Sequence, residues 1–302
     1  MIYTVTLNPS LDYFAMTESV SEGKTNRTHD EYIVPGGKGL NVSMVLSRLG
    51  TKSAAIGFTA GFTGAELVRL LSEEKVDTEM IDAGEGFTRI NVKINCGKVT
   101  EFNGAGITLS EELVTTLKKR LSALSGEDLV ILSGSIPKGA KKSLYRDLMA
   151  STAARVILDC SGEALKEALP LHPFLIKPND EEIEELAGHP VETEEALRAE
   201  MLKLQALGAV NVMVSLGARG AVLLTEDGDF FSCTPPAVPA GRPFNTVAAG
   251  DSMIAGFIHA YRTTPDYEKA LRFAVTVGTA AAYSEWLPEK SFIDSLWNQF
   301  SE

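Results

Sequence analysis

Apolar residues along this chain fall into short unbroken runs, separated by stretches in which they return every third or fourth place. Ile2 to Leu7, Ala54 to Phe58, Leu129 to Leu132, Val156 to Leu158, Phe174 to Ile176 and Val212 to Val214 are runs of strand length. Between them, Gly39 to Leu49 sets Val42, Val45, Leu46 and Leu49 at helical spacing, and further helices are expected at about 110–124, 140–151, 179–187 and 193–207. From about 249 onward the pattern is almost wholly helical, with Met253, Ile254, Phe257, Ile258 and Tyr261 forming one stripe. Continuous apolar strands alternating with helices predict an α/β fold: a mostly parallel sheet covered by helices on both faces.

Two regions break that rhythm. Residues 12–36 and 88–105 alternate apolar and polar positions, and Thr88 to Asn103 reads as a hairpin turning at Cys96-Gly97. Strands with one polar face belong outside a doubly covered sheet, so these segments are expected to form a small β-sheet lid. Within the second, Arg89 and Lys93 alternate outward from Ile90, Val92 and Ile94, which by itself describes a solvated lid face. No internal repeat appears, and the Pro-rich stretch Thr234 to Gly241 reads as a rigid connector, so residues 1–302 are expected to be a single domain carrying the lid.

Composition narrows the function. The chain has 302 residues, 28 basic against 40 acidic side chains, a formal net charge of −12, and 44% apolar residues. Sequence-independent nucleic-acid binding relies on clustered Lys and Arg, so no nucleic-acid partner is expected. No apolar run approaches the ~18–20 residues of a membrane span, and the N-terminus enters a strand without a basic and apolar leader; a cytoplasmic protein without a membrane partner is expected. Cys96, Cys160 and Cys233 lack CxxC spacing, and the four histidines form no HxH or HExxH pattern, so neither a disulfide framework nor a histidine metal site is expected. Any phosphate chemistry must then rest on a few placed cations and backbone donors.

Four small-residue clusters could supply them. Asn245 to Met253 leads through Ala248, Ala249, Gly250 and Asp251 into the apolar-striped helix, which exposes unpaired N–H groups to an anion and sets a carboxylate in the first turn. An acid there also simply complements the helix dipole. Val34 to Val42 places Gly36, Gly37, Lys38 and Asn41 around another helix start; Tyr32 stands where a Walker A loop needs glycine, and no GxGxxG follows a strand. Ile176-Lys177-Pro178-Asn179-Asp180-Glu181-Glu182 ends a strand, and Asn179 with Glu182 suits either a capping box or water organised around a magnesium ion. Val214 to Ala221, with Ser215, Gly217, Ala218 and Gly220, suits a hairpin or a backbone wall against a nucleotide.

Together these clusters resemble the PfkB, or ribokinase-like, carbohydrate kinase family over essentially the whole chain. Gly36 to Val42 is similar to its first motif, Asn245 to Met253 to its second, with Ala248 where the family usually has glycine, and Asn179 to Glu182 to its Asn-x-x-Glu magnesium motif. The resemblance implies a ribokinase-like fold whose lid often pairs subunits as a homodimer, and an ATP- and Mg²⁺-dependent kinase adding a second phosphate to a sugar phosphate. The implied acceptor is fructose 1-phosphate, with tagatose 6-phosphate as the alternative. It further implies Asp251 as base with Ala248, Ala249 and Gly250 forming the anion-binding turn. Asp12, Gly36, Gly37, Asn41 and Ser133 are expected on the sugar, and Lys38 and Arg89 on its phosphate, with Lys24 and Arg27 as further cations. Lys177, Asn179, Ser215, Gly217, Ala218 and Gly220 are expected on the nucleotide, and Asn179 and Glu182 toward the metal. A non-catalytic sugar-phosphate sensor on the same scaffold, and a nucleoside kinase, are the competing readings; a neutral acceptor would leave Lys38 and Arg89 without a partner.

Overall fold

The computed structural model describes residues 1–137 and 139–300. The chain opens with β1 (Ile2–Thr6), β2 (Ser10–Met16), β3 (Asp30–Gly36), α1 (Lys38–Arg48), β4 (Ala54–Thr59), α2 (Gly61–Glu73) and β5 (Asp77–Asp82). Next come β6 (Arg89–Asn95), β7 (Val99–Asn103), α3 (Glu111–Ser122), β8 (Leu129–Ser133), α4 (Leu144–Met149), β9 (Arg155–Asp159), α5 (Gly162–Ala168) and β10 (Leu175–Ile176). It closes with α6 (Asp180–Ala187), α7 (Glu194–Ala206), β11 (Asn211–Ser215), β12 (Ala221–Leu224), β13 (Phe230–Cys233), α8 (Ala249–Thr263), α9 (Tyr267–Ala282) and α10 (Lys290–Trp297).

The large sheet runs β13-β12-β11-β10-β9-β8-β1-β4-β5, parallel from β11 to β5, with β12 and β13 as an antiparallel edge. The expected doubly covered sheet is therefore present. The period-two alternation of its strands explains why both faces are apolar: Ile131, Ile157, Leu175 and Met213 join one core layer, and Val130, Val156, Ile176 and Val212 the other. The first layer includes α1, α8, α9 and α10, whose apolar stripes pack there. Some helices begin where a side chain can cap them: Ser110 accepts from the Leu113 N–H, Thr193 from Ala196 and Asp266 from Lys269. The expected helix at 140–151 is shorter, Leu144–Met149; β5 and the β12–β13 hairpin complete the sheet, and neither they nor helix α2 had been picked out by their apolar runs.

Strand order places the site. From β1 the chain moves out to β4 and β5, then returns to β8 on the other flank of β1, so the order reverses between β1 and β8. Parallel sheets bind ligands in the crevice beyond the carboxyl ends of their strands at such a reversal. Thr6, Ser133, Asp159 and Ser215 end β1, β8, β9 and β11.

Segments 12–36 and 88–105 do form a separate four-stranded sheet, in the order β3-β2-β6-β7. Its faces differ from the expectation in one respect. Arg89 and Lys93 lie on the same side as Asp12, with Lys93 buried, while Ile90 is exposed on the other side. The outward row across the four strands is Ile33, Tyr13, Val92 and Phe102, with Ile33 45% and Phe102 59% exposed. The lid thus turns its polar face inward and its apolar face to the outside. Strand alternation fixes which residues share a face; it does not say which face meets the domain.

Candidate active site

A cavity of about 980 Å³ opens where the lid overhangs the carboxyl ends of the large sheet and the N-termini of α1, α6 and α8. At its floor stands Asp251 in the first turn of α8, only 6% exposed. Its carboxylate Oδ2 accepts from Asn41 Nδ2 at 2.8 Å. Burial pushes the Asp251 pKa up to about 6, with the Asp159 charge adding to the rise and Asn41, Lys38 and Lys177 opposing it.

The turn before Asp251 explains the family-atypical alanine. Ala248 occupies the left-handed region, φ 63° and ψ 3°, as the residue preceding α8. The glycine-like conformation therefore survives a Cβ. The Ala249 N–H is spent on the Thr246 carbonyl at 3.2 Å, which removes it from the expected anion-binding donors. Gly250 and Asp251 retain first-turn N–H groups without intrahelical acceptors. Gly250 lies against Lys177: a Cβ there would stand 2.9 Å from Lys177 Nζ, so a side chain at this position would push the ammonium aside.

Asp159 is a residue the sequence reading did not single out. It is 4% exposed, with Lys38 Nζ 3.1 Å from Oδ2 and Lys177 Nζ 3.7 Å from Oδ1. Burial pulls the Lys38 pKa down, but the charges of Asp159, Asp251 and Glu182 outweigh it and the net shift is upward. Two buried carboxylates and two ammoniums therefore form one charge-balanced cluster. The signal that could have found Asp159 is its place, a charged residue ending an apolar strand of a parallel sheet. Thr6 and Ser133, at the ends of the neighbouring β1 and β8, also line the cavity, and their hydroxyls are buried without hydrogen-bond partners. Both crowd Gly39, whose Cβ would stand 2.6 Å from Thr6 Oγ1 and 3.2 Å from Ser133 Oγ.

On the lid side, Asp12 Oδ1 accepts from Ser10 Oγ at 2.7 Å and Asn91 Nδ2 at 2.9 Å. The carboxylate rests on Gly36, where a Cβ would stand 2.3 Å from Oδ1. Arg89 donates to the Asn8 carbonyl at 3.1 Å and the Gly104 carbonyl at 3.4 Å. It pairs with no carboxylate among the described residues, and burial pushes its pKa down against a smaller opposing pull from Asp12. Gly37 and Asn41 line the cavity with these groups, whereas Lys24 and Arg27 stand in the exposed loop between β2 and β3 and do not.

At the far end, Ser215, Gly217, Ala218 and Gly220 form a wall that closes on Lys177 and Asn179. Asn179 caps α6: its Oδ1 accepts from the Glu182 N–H at 2.7 Å, and Glu182 Oε2 accepts from the Asn179 N–H at 2.9 Å. The capping box is thus real, and it leaves Glu182 Oε1 as the carboxylate atom outside it. No group of three or more His, Cys, Asp or Glu side chains arranged to hold a metal occurs among the described residues. The three cysteines are free, and burial pushes the Cys160 thiol up, which keeps it protonated beside this cluster.

Comparison with known proteins matches this architecture closely. The model of the pfkB family of carbohydrate kinases matches residues 6–285. The chain is 40% identical to a 1-phosphofructokinase of Bacillus subtilis over 98% of this chain and 97% of the relative. It is 33% identical to a D-tagatose-1-phosphate kinase of Bacillus licheniformis over 99% and 98%. The crystal structure of phosphofructokinase-2 from Escherichia coli in complex with substrates and products superposes with a TM-score of 0.91 at 30% identity, covering 100% of this chain and 99% of that one.

Proposed function

The chain belongs to the pfkB family of carbohydrate kinases, and from that premise we propose that it phosphorylates fructose 1-phosphate at the 6-hydroxyl with ATP, giving fructose 1,6-bisphosphate and ADP. That it is a sugar-phosphate kinase follows from the family and its relatives. The observation that carries the residue assignment is Asp251, a buried carboxylate held by Asn41 at a helix N-terminus that opens on the cavity.

Phosphoryl transfer asks a protein mainly to align an acceptor hydroxyl and to neutralise spreading charge. Asp251 accepts the proton of the sugar hydroxyl; Asn41 fixes Oδ2 and so aims the other oxygen at the acceptor. The Gly250 and Asp251 N–H groups face the transferring phosphoryl oxygens, each worth roughly 2.7–4 kcal/mol by analogy with oxyanion-hole donors. Lys38, set among Asp159, Asp251 and Glu182, and Lys177, against Gly250, supply positive charge on the path of transfer. Arg89 suits the phosphate already on the sugar, because it lines the cavity as a cation that two carbonyls hold and no carboxylate among the described residues pairs. Asp12 grips a sugar hydroxyl beside Gly37. The Ser215 to Gly220 wall takes the nucleotide.

The residues also fit a magnesium ion that arrives with the nucleotide. Magnesium keeps several waters and needs few protein ligands when phosphates supply the rest. Glu182 Oε1 and, through water, Asn179 are the groups to hold it, and the ion would neutralise phosphate charge there. No helix of the described residues is long and apolar enough to cross a membrane. The exposed apolar row of the lid suits pairing with a second copy.

A second reading has support from names alone. Relatives such as the Bacillus licheniformis protein are named for tagatose 1-phosphate, which shares the C1 phosphate and differs from fructose 1-phosphate in one hydroxyl. Coupled ADP release with both 1-phosphates and with tagatose 6-phosphate tests the reading. The highest kcat/KM is expected for fructose 1-phosphate, and no ADP release with any of the three would overturn it.

A further inference from the structure

We infer that Lys93 is a positioning residue for the acceptor, acting through Asp12; the inference rests on the acceptor-site reading of Asp12 given above. Lys93 is 6% exposed, and its ammonium lies 3.1 Å from Asp12 Oδ2 and 3.8 Å from Glu101 Oε1. The ammonium also sits 5.0 Å from the centre of the Phe14 ring, which is itself stacked on Tyr32 at 4.7 Å. The parallel pairing of β2 with β6 sets Asp12 beside Asn91 and Phe14 beside Lys93, so the lid backbone fixes the pair.

A carboxylate offers about four acceptor positions. In Asp12, Ser10 and Asn91 take two on Oδ1, and the Lys93 ammonium pairs with Oδ2 as an ion. The open acceptor positions are therefore on Oδ2, the oxygen that Lys93 holds in place, so the pair fixes the direction from which Asp12 meets a substrate hydroxyl. Asp12 and Arg89 line the cavity, whereas Lys93 does not, which separates it from the groups that touch substrate. Removing one partner of a buried pair leaves an uncompensated charge, so Asp12 without Lys93 would turn away toward water or toward other donors. Lys93 therefore sets where the acceptor hydroxyl is held without contacting it.

Steady-state kinetics of the full chain with fructose 1-phosphate and ATP test this on Lys93→Met, Lys93→Arg, Asp12→Asn and the Asp12→Asn, Lys93→Met double variant. Lys93→Met should raise KM for the sugar phosphate about tenfold or more, with kcat and KM for ATP within about twofold, and Lys93→Arg should recover most of the loss. The double variant should bind sugar phosphate no worse than Asp12→Asn alone. If Lys93→Met adds its full factor on top of Asp12→Asn, Lys93 contacts the substrate directly; if both KM values rise together, its role is only structural. Either result overturns the inference. Should the single methionine variant not fold, Asp12→Asn against the double variant, which leaves no unpaired charge, still decides between the two. Absence of turnover in the unmutated chain would instead remove the functional reading.

Discussion

The Lys38 ammonium lies 3.1 Å from the Asp159 carboxylate, tying the first turn of α1 to the end of β9 across 121 residues. Asp159 also reaches Lys177, so two lysines that the sequence associates with different substrates share one buried acid. That acid repels Asp251 and helps to hold its pKa near 6. Asp159→Asn should therefore move the acid limb of kcat, measured with both substrates saturating, to lower pH, while kcat itself falls at least tenfold as Lys38 and Lys177 lose their anchor. An unmoved acid limb would show that the two carboxylates do not communicate.

Asp251 carries a stability cost as well as a catalytic assignment. Its folded pKa, about 6, lies above the ordinary 3.8, so the folded state binds the proton more tightly than the unfolded chain does. Stability from this group is fully present below about pH 3.8 and is lost as pH rises through 6. Asp251→Asn should thus be more stable than the parent at pH 8, by on the order of 1–3 kcal/mol, with the gap closing toward pH 4. Turnover should fall by orders of magnitude while ATP still binds. Chemical denaturation at several pH values, beside a turnover assay, reads both; a gap that grows on acidification would contradict the burial argument.

How much of this was legible in the sequence divides along physical lines. The parallel sheet was readable because fully buried strands leave unbroken apolar runs, and the helix starts were readable because Gly36 to Asn41 and Ala248 to Asp251 concentrate small residues where backbone donors must be bare. The capping role of Asn179 and Glu182 was readable from their three-residue spacing. Asp159 was not, because its importance comes from strand order, which brings β9 near β1 only through the reversal of the sheet. Nor was the inward face of the lid: a strand's alternation is the same whichever side meets the domain, and here the buried Lys93 finds its carboxylate on a neighbouring strand.

Arg89 is a half-buried cation supported by two carbonyls and no acid. Burial pushes its pKa down, so an incoming phosphate relieves an unfavourable charge instead of competing for a paired one. Arg89→Ala should raise KM for the sugar phosphate about 30-fold or more and leave KM for ATP nearly unchanged. Arg89→Lys should recover only part of this, because a point charge does not reproduce the two-pronged donor. Equal changes in both KM values would move Arg89 off the acceptor phosphate.

Ala248 adopts a backbone conformation that costs an L-residue roughly 1–2 kcal/mol. Ala248→Gly relieves that cost but adds freedom to the unfolded chain, so a net gain of up to about 1 kcal/mol with unchanged kcat is expected. Ala248→Val should lose stability and turnover together, since a branched side chain tolerates this region poorly. Thermal unfolding midpoints compared with kcat test the pair; a glycine variant less stable than the parent would mean that the alanine methyl is packed to advantage.

The lid face offers a test of association that separates interface from fold. Ile33, Tyr13, Val92 and Phe102 form one apolar row across four strands, and its outer members are largely exposed in the single chain. A charge at an exposed strand position changes monomer stability little, usually within about 0.5 kcal/mol, whereas a charge buried between two copies is costly. Ile33→Asp and Phe102→Asp should therefore turn a dimer of the 32.4 kDa chain into a monomer in light scattering, with little change in the unfolding midpoint measured at high dilution. Because the row backs the strands that carry Asp12 and Arg89, loss of pairing should also loosen the lid and raise KM for the sugar phosphate before that for ATP. A parent chain that is monomeric at micromolar concentration, or variants that remain dimeric, would place the subunit contact elsewhere or remove it.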